Sequence, residues 1–270
     1  MAGAAAGIAA AFNTPLAGIM FAIEEMAKSY EKRISGLLIA AVVVAGAVSI
    51  SLLGNYKYFG DTAISTNFSH AMLYAVLCGI LCGLAGSLFS FALLASGRLY
   101  RMYMNGTSPS VRRWLPYAMP AVCGLIVGLA GLLTAGYANG TGYEQTRLAL
   151  ETSQPMPIFY GILKLLSTLA SSASGLPGGL FSPSLSVGAG LGSAIGEFFP
   201  SVDLGTIMLL ATAAYFSAVV QSPLTAFVIV TEMTVSNSLL VPLLATTFIA
   251  AGVSAALTRE PLYHALSHQF

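Results

Sequence analysis

The stretch Ser174-Gly175-Leu176-Pro177-Gly178-Gly179-Leu180-Phe181-Ser182-Pro183 is the part of this chain best suited to chemistry. Pro177 and the glycines end any helix that precedes them, and Pro183 fits the first turn of the next. A helix is therefore predicted to start near Leu180, with Gly178 and Gly179 leaving room in front of it. The first backbone N–H groups of a helix have no partner within it and carry the positive end of its dipole. Such a start can hold an anion without any basic side chain. A plain Gly-Pro kink between two packed helices accounts for the same residues equally well.

Two adjacent carboxylates, Glu24 and Glu25, are the second feature. Neighbours on a helix point about 100° apart, so one of the pair is expected to face any given pathway. An ionisable group at membrane depth is a functional candidate. The competing reading of Glu25 is a salt bridge to Lys28 or Lys32 at the membrane surface. Lys164 can snorkel, pair with a carboxylate such as Glu232, or raise the local potential for an anion, and the sequence does not choose. Glu197, followed by Pro200 and Asp203, reads as a solvated helix end, and His70, His264 and His268 read as interfacial. Cys78, Cys82 and Cys123 sit in apolar stretches with no further ligand nearby. A structural metal site needs about four ligands, so they read as small apolar residues. No Ser/His/Asp arrangement, nucleotide loop or metal cluster is visible, and neither enzyme chemistry nor a cofactor is expected.

The elements that position these groups are helices in a membrane. Hydrophobic residues make up 56% of the 270 residues and charged ones 8%, with a mean hydropathy of +0.81. A soluble domain carries charge on roughly a quarter of its positions. The net charge of +1 offers no case for nucleic acid. Spanning segments need about twenty apolar residues, and long candidates are 34–54, 69–97, 115–135, 204–220 and 238–257. Shorter apolar pieces are 1–12, 14–26, 156–173 and 180–199. Breaks fall at Asn13-Thr14-Pro15, Gly175–Pro183 and Gln221-Ser222-Pro223. Irregular backbone at membrane depth is tolerated only inside protein or against a watery cavity, so sites belong there. The basic segments 28–33 and 98–113 are expected on the cytoplasmic side, and the loops 54–67 and 136–143 outside. Gly3, Gly7 and Ala11 form a small-xxx-small pattern that predicts a tightly packed first helix. A chain beginning within such a helix reads as truncated.

An internal repeat links two of the breaks. Asn13-Thr14-Pro15-Leu16-Ala17-Gly18, followed by Glu24, corresponds to Gln221-Ser222-Pro223-Leu224-Thr225-Ala226, followed by Glu232, at an offset of 208 residues. Glu24 pairs with Glu232, which predicts a role common to both halves, such as hydrogen bonding at helix ends. Glu25 pairs with Met233 and is the asymmetric member. Inverted repeats often build transporters, with the substrate between them near the midplane. At the same offset the counterpart of Phe181 falls before Met1.

Gly-Gly-Leu-Phe-Ser-Pro resembles the G-x-F-x-P motif of the CLC family of chloride channels and chloride/proton antiporters. Asn13 to Gly18, leading to Ile23-Glu24-Glu25-Met26, resembles the segment after that family's second signature. Pro261-Leu262-Tyr263 resembles its last membrane-helix entry. The family's earlier G-S-G-I-P and G-[KR]-E-G-P motifs are not in this sequence. The resemblance implies an all-α, polytopic, broken-helix fold of roughly ten helices built from inverted repeats. Residues 1–33 would end the first repeat, 34–54 would close it, and 55–270 would form the second. The N–H groups of Leu180 and Phe181 would hold chloride, supported by Gly178, Gly179 and Pro183. Tyr263, otherwise read as an interfacial aromatic, would add its hydroxyl. Glu25 would be the internal proton-transfer glutamate of an antiporter. A homodimer in the plasma-membrane bilayer is also implied, with interface helices near 14–26, 34–54, 223–233 and 238–257. The alternatives are a passive voltage-gated-type chloride channel, or a fragment that does not transport unless a separate chain supplies the first half.

Overall fold

In a medium without water every backbone polar group must be satisfied internally, and a helix does this within one segment. The computed structural model describes residues 1–27, 32–54, 56–60, 67–106, 109–176, 178–199, 202–234, 237–258 and 260–267. Among the described residues there are twelve α-helices and no strand. The first part holds α1 (Ala2–Phe12), α2 (Pro15–Phe21), a π-helical segment (Ala22–Ala27) and α3 (Lys32–Leu53). Then come α4 (Phe68–Gly106), α5 (Pro109–Leu133), α6 (Tyr143–Thr152), α7 (Tyr160–Ala173) and α8 (Phe181–Gly196). The chain continues through α9 (Leu204–Val220), α10 (Pro223–Met233), α11 (Leu240–Leu257) and α12 (Leu262–Ser267). Among the described residues, four segments are long and apolar enough to cross a membrane: Gly36–Leu53, Phe68–Gly106, Arg112–Leu133 and Leu240–Leu266.

The centre is α9, buried at every residue from Gly205 to Val220, with α8, α4 and α11 packed around it. A helix apolar on all sides suits such a position. The approach of α8 is close enough to exclude side chains. A Cβ on Gly188 would lie 2.6 Å from Thr212 Cα, and one on Gly192 would lie 2.7 Å from Met208 Cα.

Three departures from the sequence reading have physical causes. Helix α4 continues beyond 97 to Gly106, because Arg98 and Arg101 end the apolar run without ending the helix. Helix α6 follows the glycine-rich turn and was not anticipated. It is too polar for a hydropathy window, yet it buries Thr146, Ala149 and Leu150 on one face. The first helix does not pack through Gly3, Gly7 and Ala11. Gly3 and Gly7 face open space, and Ala11 is exposed. Ala5 and Ala9 make the contact instead, with Gly18 of α2 set against them. A 3.6-residue period permits several small-residue stripes, and the partner chooses among them.

The two halves of the repeat share a backbone. Asn13 (φ 53°, ψ 42°) and Gln221 (φ 57°, ψ 32°) end α1 and α9 in the left-handed region. Thr14 (φ −127°, ψ 77°) and Ser222 (φ −123°, ψ 82°) follow, and Pro15 and Pro223 open α2 and α10. Tyr58, in the segment between α3 and α4, packs against Tyr143 at the start of α6, with ring centroids 4.4 Å apart.

Candidate functional site

Helix α8 begins at Phe181, with Leu180 as its N-cap and no side chain bonded to the cap. Among the described residues none accepts a hydrogen bond from the N–H of Leu180 or Phe181. Gly178 and Gly179 are exposed, and a Cβ on either would meet nothing within 4 Å. Pro177 lies outside the described residues, while Pro183 occupies the first turn as expected. The arrangement is a set of unpaired donors at the positive end of a helix, approached through open backbone. That is what an anion requires.

Sequence reasoning missed the ring of aromatics around this start. Phe181 touches Phe216 of α9 (centroids 5.0 Å apart), Phe21 of α2 (5.3 Å), Tyr263 of α12 (6.1 Å) and Phe12 of α1 (6.2 Å). Residues from four other helices therefore converge on one side chain, a pattern that no local sequence signal encodes. Tyr263 is half-buried and faces this cluster, so the structure brings it to the motif holding Leu180 and Phe181. The Tyr58 hydroxyl stands 3.1 Å from Ser182 Oγ at the same helix start.

The carboxylates lie at the other helix starts. Glu24 accepts from Leu224 N (3.1 Å), Thr225 N (2.6 Å) and Thr225 Oγ1 (2.8 Å), and so caps α10. Glu232 accepts from Leu16 N (3.1 Å) and Ala17 N (2.7 Å), and so caps α2. The reciprocal exchange fulfils the common role that the repeat predicts for this pair. Glu25 accepts from Ser222 Oγ at 2.8 Å and lies within electrostatic reach of Tyr263. Both adjacent glutamates reach the N-terminal end of α10 from a π-helical segment. Its wider turn brings successive side chains closer in direction than an α-helix does. The Lys28 and Lys32 side chains lie outside the described residues.

Lys164 is buried and donates to Ala138 O (2.9 Å) and Gly140 O (2.6 Å). It ties the turn before α6 to α7, and it does not pair with Glu232. Close by, Ser186 Oγ bonds the Tyr160 hydroxyl (2.6 Å) and accepts from Thr146 Oγ1 (3.0 Å), fixing α6 and α7 to α8. Asp203 caps α9 through Thr206 N at 3.0 Å. Cys78 and Cys82 are fully buried on one face of α4.

The sequence profile of the voltage gated chloride channel family matches residues 1–255. The chain belongs to this family. An H(+)/Cl(-) exchange transporter ClcA of Yersinia pestis is 34% identical over 281 residues, covering 98% of this chain and 56% of the relative. The ClcA exchanger of Klebsiella pneumoniae (strain 342) is 34% identical over 277 residues, covering 97% and 56%. The chain thus spans about half the length of the curated relatives it matches. A CLC-type fluoride/proton antiporter structure superimposes with a TM-score of 0.77 at 22% identity, over 96% of this chain and 63% of that one. A slow cyanobacterial Cl-/H+ antiporter gives 0.71 at 22% identity, over 99% and 63%. These structures establish the CLC fold for this chain. It is an all-α, polytopic integral membrane protein.

Proposed function

We propose that the chain forms part of a chloride/proton antiporter of the plasma membrane, in which the Leu180 and Phe181 amides and the Tyr263 hydroxyl hold chloride. The observation that carries this reading is the uncapped start of α8, open on the side of Gly178 and Gly179 and facing Tyr263. Glu25 takes and releases the proton. A carboxylate at this position supports an antiporter over a passive channel, since coupled exchange needs a group that takes and releases a proton. The names of the ClcA relatives, exchangers of H(+) and Cl(-), support the same assignment.

Residues 1–33 end one repeat, 34–54 close it and 55–270 form the next, a division supported by the matched backbone at residues 13–15 and 221–223. The exposed apolar side chains Leu37, Val43, Val44 and Leu52 of α3, with Val241 and Phe248 of α11, suit lipid contact or the interface of a homodimer. Chloride efflux and proton uptake, followed together in proteoliposomes, test the reading. Coupled fluxes, with the proton component lost in Glu25→Gln, are expected. Chloride flux without protons would make this a channel, and no flux would leave a non-transporting fragment.

A further inference from the structure

Glu24 and Glu25 reach the same helix start, but the described partners that hold them there differ in kind. Glu24 is held by two backbone N–H groups and the Thr225 hydroxyl. A backbone N–H can only donate, so those contacts serve an ionised acceptor. Glu25 is held by the Ser222 hydroxyl, which both donates and accepts. That contact can survive a change of protonation. With Glu25 ionised, Ser222 donates to Oε2; with Oε2 protonated, the acid donates to Ser222 Oγ.

The other half of the repeat has the same hydroxyl without the carboxylate. Thr14 occupies the position of Ser222 with nearly the same backbone angles. It is fully buried, and among the described residues its Oγ1 has no hydrogen-bond partner. Its counterpart of Glu25 is Met233, also fully buried, whose thioether is a weak acceptor. One hydroxyl therefore has a titratable partner and its twin has none.

We propose that Ser222 is the positioning residue of Glu25: its hydroxyl holds the carboxyl in one direction through both protonation states. Thr14 and Met233, the counterparts of Ser222 and Glu25 in the repeat, include no proton-bearing group. The proposal rests on the proton-transfer reading of Glu25. Among the described residues its titratable neighbours include Glu24 beside it and Tyr263 on α12. Ser222 does not cap α10 through its side chain, so its removal leaves the helix start intact.

Infrared difference spectra of the full chain in lipid, taken against Glu25→Gln, isolate the Glu25 carboxyl bands. In Ser222→Ala these bands are expected to move to the positions of a carboxyl lacking this bond. The proton flux per chloride is expected to fall about fivefold, the scale of one lost hydrogen bond. Ser222→Thr restores both, and Thr14→Val changes neither. Unmoved bands in Ser222→Ala, or an unchanged flux ratio, overturn the proposal. If Glu25→Gln itself leaves proton flux intact, the proton-transfer reading fails, while the infrared bands still report whether Ser222 holds the carboxyl.

Discussion

Three helix starts in this molecule meet the same electrostatic demand in two ways. At α2 and α10 the unpaired N–H groups behind Pro15 and Pro223 are satisfied by Glu232 and Glu24, each supplied by the opposite half of the repeat. At α8 the N–H groups of Leu180 and Phe181 meet no protein carboxylate among the described residues, and aromatic rings surround them. All three present the positive end of a helix dipole. Where a carboxylate of the chain occupies that end, the helix start is structural and fixed. Where none does, and glycines keep the approach open, the position is left for an anion that can leave.

The largest break in this comparison comes from removing a built-in anion. Glu24→Ala deletes three charge-assisted hydrogen bonds at α10 and is expected to cost about 3 kcal/mol of stability, measured by unfolding in mixed micelles. Glu232→Ala deletes two and is expected to cost about 2 kcal/mol. Equal losses would mean that the extra bond from Thr225 Oγ1 contributes nothing. The converse experiment gives α8 the carboxylate it lacks. Gly179→Glu is expected to weaken halide binding at least tenfold, about 1.4 kcal/mol, by isothermal titration, while Gly179→Ala, whose methyl group meets no protein atom within 4 Å, has a much smaller effect. Smallest is Tyr263→Phe, which removes one hydroxyl donor and should weaken halide binding about fivefold, near 1 kcal/mol.

How much of this was legible in the sequence depends on the range of each contact. The start of α8 was visible because Gly178, Gly179, Phe181 and Pro183 are local signals for ending one helix and beginning another. The pairing of Glu24 with Glu232 was visible because the repeat placed them at matching distances after Pro15 and Pro223. The aromatic ring around Phe181 was not visible, since Phe12, Phe21, Phe216 and Tyr263 come from four other helices. The carbonyl partners of Lys164 were equally hidden, because a buried ammonium has several possible acceptors and only the packed turn at 138–140 selects them. The joint reach of Glu24 and Glu25 to α10 was hidden as well, because those contacts span 201 and 197 residues of sequence and depend on how the two halves of the repeat pack.

Bromide-soaked crystals measured at the bromine absorption edge offer the most direct test of the open helix start. An anomalous peak within hydrogen-bond distance of the Leu180 and Phe181 nitrogens, on the side facing Tyr263, is predicted, with none at the starts of α2 and α10. Density that leaves the α8 start vacant at saturating bromide, or that places the ion at the carboxylate-capped helices, would contradict it.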